Sequence, residues 1–202
     1  FTRDGHVEFF SETPMENIEA TNDKMTSVVD FENGKFEFAV LIKSFEFEKA
    51  LMEEHFNENY MESNTYPKAS FVGEIEDFAG VRNSNFPPGV EMAAHGKLTI
   101  HGVTKDVVIP ATITLDGDQY KIASIFKVSP ADYNIEIPNT VRDNIAKEIK
   151  VTASSKLDNK FLKAMTGTDI EIPGQYTNCR SKPLPASHAK ISYVSEKVLR
   201  LK

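Results

Sequence analysis

The chain has 202 residues, enough to build one domain with a sizeable hydrophobic core. Hydrophobic residues make up 40% of it, an ordinary share for a globular protein, which excludes disorder over most of the length. The formal net charge of -7 argues against nucleic acid as the main partner. No apolar run approaches the roughly 18 residues of a transmembrane segment, and the single cysteine, Cys179, permits no internal disulfide.

The first regular pattern is an alternation of apolar and polar residues, which begins at His6–Phe10 and reappears on both sides of Asn33-Gly34. Asn-Gly between two alternating runs is a strong hairpin signal, because a type I′ turn places both residues at positive φ. We therefore expect Met25–Glu32 and Lys35–Lys43 to pair as antiparallel strands.

The segment Glu46–Asn64 breaks this alternation. It lacks Gly and Pro, is rich in Glu, and contains two rows of apolar residues at a spacing of four, one from Phe47 and one from Met52. The pattern predicts an amphipathic helix, which we place over one end of the β-structure. The residues expected at this mouth are Phe47, Leu51, His55 and Tyr60.

A second hairpin is predicted around Gly102. Its two alternating runs place Leu98, Ile100, Val107 and Ile109 on one face and Lys97, Thr99, His101 and Asp106 on the other. The same alternation marks the remaining predicted strands, which are Lys68–Phe78, Glu91–His101, Asp106–Leu115, Gln119–Val128 and Asn144–Val151.

The predicted strands number about eight, most of them joined by short turns, and about half of their positions are apolar. This is typical of an antiparallel sheet with one wet face. Closure of eight strands into an up-and-down barrel removes the exposed edges and leaves an interior that holds side chains or one small ligand. The fold class predicted is therefore all-β, an eight-stranded antiparallel lipocalin-like barrel with one amphipathic helix over its mouth.

The inward face of this barrel is the main candidate for a binding site. Periodicity alone leaves two alternatives open, since inward residues are apolar whether they fill a narrow barrel or line a tunnel. The candidate lining residues are Phe9, Met25, Val29, Phe31, Phe36, Phe38, Val40, Ile42, Phe71, Ile75, Met92, Leu98, Ile100, Val107, Ile109, Ile113, Tyr120, Ile122, Phe126, Ile149 and Val151.

No catalytic or metal-binding motif is readable. The five histidines form no HxH or HExxH motif, and His95 and His101 fall on the predicted outer face. Cys179 has no positioned base beside it, and neither GxSxG nor a phosphate-binding glycine loop is present. The expectation is a protein that is not an enzyme and has no catalytic residues and no metal.

Three stretches together resemble the YceI-like family of bacterial polyisoprenoid-binding proteins. They are residues 5–10 (GHVEFF), residues 55–71 with their Tyr-Pro before a strand, and residues 96–105 (GKLTIHGVTK). The order and spacing of the stretches also fit, and the resemblance covers about residues 3–153.

The resemblance implies an extended barrel around a long apolar tunnel, occupied by an isoprenoid, such as an isoprenoid quinone, or by another lipid. It implies binding, storage or transport of that lipid without catalysis and without any other cofactor. It also implies a periplasmic or secreted protein whose signal peptide has been removed, in keeping with a chain that starts at Phe1.

The C-terminal part departs from the family pattern. We assign residues 1–153 to the lipid-binding barrel and residues 154–202 to a basic, turn-rich, loosely ordered extension. Residues 153–202 contain nine Lys and Arg but four Asp and Glu, a net charge of +5 in an acidic chain. The acidic body and basic tail would allow a homodimer. They also support an alternative function, a periplasmic stress-response or interaction module that acts through its outer surface.

Overall fold

A single antiparallel sheet organises the described part of the chain. The structure is a computed structural model that describes residues 1–76, Phe78 and residues 89–158. Its strands are β1 (Thr2–Glu12), β2 (Asn17–Val29), β3 (Lys35–Leu41), β4 (Glu46–Phe47), β5 (Lys68–Ile75), β6 (Val90–Ile100), β7 (Val103–Asp116), β8 (Gln119–Val128) and β9 (Ile149–Asp158).

The sheet closes into an eight-stranded barrel. Its strand order is β1-β9-β8-β7-β6-β5-β3-β2, and β1 pairs with β2 to complete the circle. The two-residue strand β4 adds to β2 outside this circle, where Phe47 pairs with Ala20. The fold class predicted from the alternation is thereby confirmed.

The turn between β2 and β3 confirms the predicted pairing but differs in type. Val29 pairs with Phe36, so the two predicted runs are antiparallel partners, although a two-residue turn at Asn33-Gly34 would have placed Val29 opposite Phe38. Gly34 alone has a positive φ, of 76°, and its N–H donates to the Asp30 carbonyl. The Asp30 carboxylate accepts hydrogen bonds from the loop at 2.7 and 2.8 Å, so a longer, side-chain-capped loop replaces the type I′ turn.

The turn between β6 and β7 is the one that places two residues at positive φ. Ile100 pairs with Val103, and between them His101 and Gly102 have φ values of 49° and 73°. His101 is therefore a turn residue and does not continue the outer face of the strand, as the sequence pattern suggested. Its largely buried ring packs edge-on against Tyr66, with ring centroids 4.5 Å apart.

The helix is shorter than predicted. The α-helix α1 runs from Ala50 to His55 and continues as a π-helical turn through Phe56–Tyr60, followed by Glu62 at a positive φ of 43°. The predicted N-terminal part is not helical, because Phe47 is held in β4 by pairing with β2. Among the described residues, no helix is long and apolar enough to cross a membrane.

The last strand starts later and ends later than predicted. β9 pairs along the whole of β8, from Ile149 opposite Val128 to Asp158 opposite Gln119. The predicted strand began at Asn144, which lies instead in a 3-10 turn. Regular pairing thus continues past residue 153, the predicted end of the barrel domain. The rest of the predicted extension, residues 159–202 with Cys179, lies outside the described residues.

Two glycines allow β5 and β6 to approach closely. Gly73 and Gly96 face each other across the two strands. A Cβ atom added at Gly96 would lie 2.5 Å from the Val72 carbonyl oxygen, and one added at Gly73 would collide with the His95 carbonyl oxygen. Real Cβ atoms do not approach backbone this closely, so the wall at this point requires glycine.

We expect Gly73→Ala to lower the free energy of unfolding by about 2–3 kcal/mol, because the added methyl group has no space between the strands. The measurement is urea denaturation followed by circular dichroism. Gly117→Ala is the matched control. A Cβ atom there meets nothing within 4 Å, so only the positive φ of 61° is strained, which costs about 1 kcal/mol. Equal losses in the two variants would contradict this account.

Candidate ligand-binding cavity

A cavity of about 400 Å³ lies inside the barrel. Every strand contributes to its wall, and the helical segment and the connection between β8 and β9 border it as well. The strand residues around it are mostly apolar. Among the described residues that border it, Glu16 is the one carboxylate. Such a wall suits a ligand that gains by leaving water.

Many of the predicted lining residues meet at this cavity. Those that border it are Phe9, Met25, Phe38, Val40, Ile42, Phe71, Leu98, Ile100, Ile109, Ile122, Phe126, Ile149 and Val151. They point inward from all eight strands of the barrel, with Ile42 in the turn that follows β3. The period-two interpretation therefore identifies the correct face of these strands.

Other predicted lining residues fill the barrel and do not border the cavity. Seven of them, Val29, Phe31, Phe36, Ile75, Met92, Ile113 and Tyr120, belong to a packed core together with Phe78 and Leu157. The eighth, Val107, packs against the cluster of Leu98, Ile109 and Tyr133.

Aromatic rings explain why one end of the barrel has no space. Phe31 stacks on Tyr120 with ring centroids 4.1 Å apart, and its ring also lies 5.9 Å from that of Phe78. Phe36 lies 4.8 Å from the ring of Phe71. Large side chains from the β2–β3 turn and from β3, β5 and β8 meet here and exclude a ligand. Both alternatives left open by the sequence therefore apply, each to one part of the interior.

Five residues separate the cavity from this core, and we call them the floor. They border the cavity and also belong to, or pack against, the core cluster. The floor consists of Phe38, Phe71, Ala94, Ala111 and Ile122. Behind it, the Phe36 ring lies 5.3 Å from the ring of Phe38, so the floor rests directly on packed side chains.

A second aromatic cluster lies at the helical side of the cavity. The Phe9 ring is 5.3 to 5.7 Å from the rings of Phe45, Phe47 and Phe56. Phe45 and Phe56 were not among the predicted site residues. Phe56 belongs to the helical row that starts at Met52, and all three residues of that row, Met52, Phe56 and Tyr60, border the cavity.

The predicted mouth residues divide accordingly. Phe47, His55 and Tyr60 border the cavity, but Leu51 does not, and 61% of its surface is exposed. The row of Met52, Phe56 and Tyr60 borders the cavity throughout, whereas the other row reaches it at Phe47 and His55 but not at Leu51. The spacing of four exists in both rows, so periodicity could not distinguish between them.

The connection between β8 and β9 also borders the cavity, which the sequence pattern did not predict. Ile135, Ile137, Val141 and Ile145 border the cavity from this segment. The available signal was four β-branched aliphatic residues in a stretch that its prolines mark as a loop. Solvated loops rarely carry so many, since each exposes apolar surface to water.

Polar contacts hold this connection against the barrel. The Ala146 N–H donates a hydrogen bond of 2.9 Å to the Ser11 hydroxyl, and Lys105 Nζ lies 3.0 Å from the Asp132 carboxylate. His101 Nδ1 lies 3.1 Å from the Tyr133 carbonyl oxygen, which requires the proton on Nδ1. Burial, aided by the adjacent Asp132, raises the pKa of the Tyr133 hydroxyl above its usual value, which favours its neutral form.

Serines on several strands also border the cavity, and its one carboxylate among the described residues, that of Glu16, is bonded on both sides. Glu16 Oε1 lies 3.5 Å from Lys49 Nζ, and Glu16 Oε2 accepts a hydrogen bond of 3.2 Å from Asn144 Nδ2. His55 and Tyr60 of the helical segment border the cavity as well. Together with Glu16 and Asn144 they form a polar rim that offers both hydrogen-bond donors and acceptors. The described residues contain no group of three or more His, Cys, Asp and Glu able to hold a metal ion.

A family model described as YceI-like domain matches residues 3–157 of the chain. None of the curated proteins compared with the chain matches it. Solved structures do match, and the three described next are 15–18% identical to the chain.

Burkholderia cenocepacia BcnA is 18% identical, with a TM-score of 0.64 over 76% of this chain and 96% of BcnA. A structure described as a polyisoprenoid binding domain from Saccharophagus degradans, implicated in plant cell wall breakdown, is 16% identical. Its TM-score is 0.64 over 77% of this chain and 94% of that domain. The Campylobacter jejuni YCEI protein is 15% identical, with a TM-score of 0.52 over 78% and 85% of the two chains.

Two adjacent helix residues allow a direct check of the cavity wall. We expect Met52→Glu to weaken binding of a hydrophobic fluorophore at least about tenfold, because an unpaired carboxylate would then lie against the apolar wall. Leu51→Glu places the same charge in solvent and should change the affinity by less than about twofold. The measurement is a fluorescence titration, and an equal effect of the two changes would contradict the assigned helix face.

Proposed function

Because this chain belongs to the YceI-like family, we propose that it binds a long apolar lipid of the isoprenoid class inside its barrel, for storage or transport and without catalysis. The cavity wall is the observation that carries the proposal. Inward residues of the strands, the helical row of Met52 and the β8–β9 connection together surround a space of about 400 Å³ with apolar side chains.

Desolvation of the lipid supplies the affinity. Transfer of apolar surface out of water contributes roughly 25 cal/mol per Å², so burial of about 300 Å² of a hydrocarbon chain contributes roughly 7 kcal/mol before the cost of association. The wall offers little directional bonding, which favours recognition of an apolar chain over recognition of a polar small molecule.

The polar end of the lipid belongs at the mouth. His55, Tyr60 and the Glu16–Asn144 pair border the cavity where it meets the helix and the β8–β9 connection, and the far end is closed by the core. A headgroup there keeps contact with water, while the chain extends towards the floor. A hydroxyl, carbonyl or quinone oxygen fits these donors and acceptors.

Support for the isoprenoid class comes from similarity. One structural neighbour is described as a polyisoprenoid binding domain, although at 16% identity this likeness itself extends only to the fold. We also propose a periplasmic or secreted location on the basis of the family resemblance, and fractionation of the source cells tests it.

A plug inside the barrel tests the proposed function. Ala69 borders the cavity, so we expect Ala69→Trp to abolish uptake of a prenyl alcohol such as farnesol. Ile125→Trp is the matched control, since Ile125 is exposed on the outside and the same indole there should leave uptake unchanged. The chain has no tryptophan, so either variant also carries a single fluorescent reporter of folding.

Native mass spectrometry of each variant after incubation with farnesol measures uptake. Loss of binding in Ala69→Trp alone supports the barrel as the site. A folded Ala69→Trp protein that still binds farnesol, or a wild-type protein that binds none, would contradict the proposal. Activity through the outer surface would instead be disturbed by Ile125→Trp.

A further inference from the structure

The cavity has a closed end, and this end bears on the length of the ligand. Phe38, Phe71, Ala94, Ala111 and Ile122 form the floor described above, and each of them borders the cavity on one side and the core on the other. A chain that enters from the helical side therefore meets packed side chains before it reaches the other end of the barrel.

The core behind the floor is closely packed, so a ligand chain cannot pass through it without separating side chains. Ile113, the cross-strand partner of Ile122, is completely buried, and Leu157 is 1% exposed. The Phe31–Tyr120 stack lies in the same cluster. Opening a path through these residues would separate rings and aliphatic side chains in van der Waals contact, at the energetic cost of a core cavity.

The volume above the floor sets a limit on chain length. An apolar protein cavity of about 150 Å³ accommodates the six carbons of benzene, which is about 25 Å³ per carbon. On that scale the cavity of about 400 Å³ holds about 16 carbons. This corresponds to a prenyl chain of three to four isoprene units.

We propose that this barrel encloses at most about 16 carbons of an apolar chain and that the five floor residues determine this limit. The inference rests on the proposed function, because it assumes that a lipid chain enters the cavity. Longer chains bind with their additional carbons outside the wall. Those carbons remain in water and add no affinity.

Two of the floor positions are alanines, which makes the limit adjustable. Ala94 and Ala111 are buried and face inward from adjacent strands, so a larger side chain at either would raise the floor. Ala111→Leu adds three carbons there, equivalent to about three carbons of ligand. Ile122→Ala removes three carbons and lowers the floor by a similar amount.

The test is a series of prenyl alcohols of increasing length, geraniol, farnesol, geranylgeraniol and solanesol, each titrated against the full chain in competition with a fluorophore. We expect the wild-type affinity to rise at least about tenfold from geraniol to farnesol. The affinity should change by less than about threefold from geranylgeraniol to solanesol. A series of n-alkanols with matched carbon numbers distinguishes a prenyl from an acyl preference and should level off at the same length.

The two floor variants should shift the chain length at which the affinity levels off, and they should shift it in opposite directions. Ala111→Leu leaves space for about 13 carbons and should remove about two fifths of the gain in binding free energy from geraniol to farnesol. Ile122→Ala makes space for about 19 carbons and should increase the gain from farnesol to geranylgeraniol. Ala123→Leu, at an exposed position next to Ile122, adds the same three carbons outside the barrel and should leave the series unchanged.

The outcomes separate this inference from the function on which it rests. A wild-type affinity that keeps rising up to solanesol would overturn the length limit and leave lipid binding intact. The length limit would also be overturned if the floor variants fold and their affinities level off at the same chain length as that of the wild type. Should neither floor variant fold, the wild-type series alone decides. Failure of every prenol and alkanol to bind would contradict the proposed function itself.

Discussion

Closure of the sheet by the pairing of β1 with β2 is the constraint on which the rest of the structure depends. Eight strands without a free edge satisfy their backbone hydrogen bonds among themselves and oblige alternate side chains to share one interior. Every inward residue must then either contact residues from across the barrel or border a space. At Gly73 and Gly96 the backbones of β5 and β6 approach so closely that neither position has space for a Cβ atom.

The size of the inward side chains decides whether they fill the barrel or leave a space inside it. Where Phe31, Tyr120 and Phe36 point inward together, their rings meet and the barrel is solid. Where the inward residues include Ala94, Ala111 and Ala153, and where the helix and the β8–β9 connection form the cover, a space of about 400 Å³ is left. The same closed sheet thus surrounds a packed core in one part of its interior and a cavity in the other.

The alternation of apolar and charged residues was sufficient to predict much of this fold. β8 has its predicted bounds, Gln119–Val128, because charged and apolar residues alternate along it and neighbours on both sides pair with it fully. β2 was only partly found, since its N-terminal half carries buried polar residues. Asn22, for example, is 1% exposed and bonds to the Leu41 carbonyl and the Lys24 N–H.

The site was predicted less well than the fold, for physical reasons. Alternation reports which face a residue occupies but not what lies opposite it, so Phe36 and Phe38 appeared equivalent although only Phe38 borders the cavity. Leu51 and Met52 likewise have equal helical periodicity, and only docking onto the barrel separates them. The contribution of Ile135 and Ile137 depends on how a long connection folds back, which no local pattern encodes.

The central claim is that a lipid chain lies inside the barrel, and photo-crosslinking with a prenyl alcohol that carries a diazirine tests it most directly. After irradiation of the full chain and peptide mapping, the account predicts adducts on wall residues such as Phe9, Leu98 and Val151. It predicts that excess farnesol suppresses them. Adducts confined to outward-facing residues such as Val108 and Ile125 would contradict it.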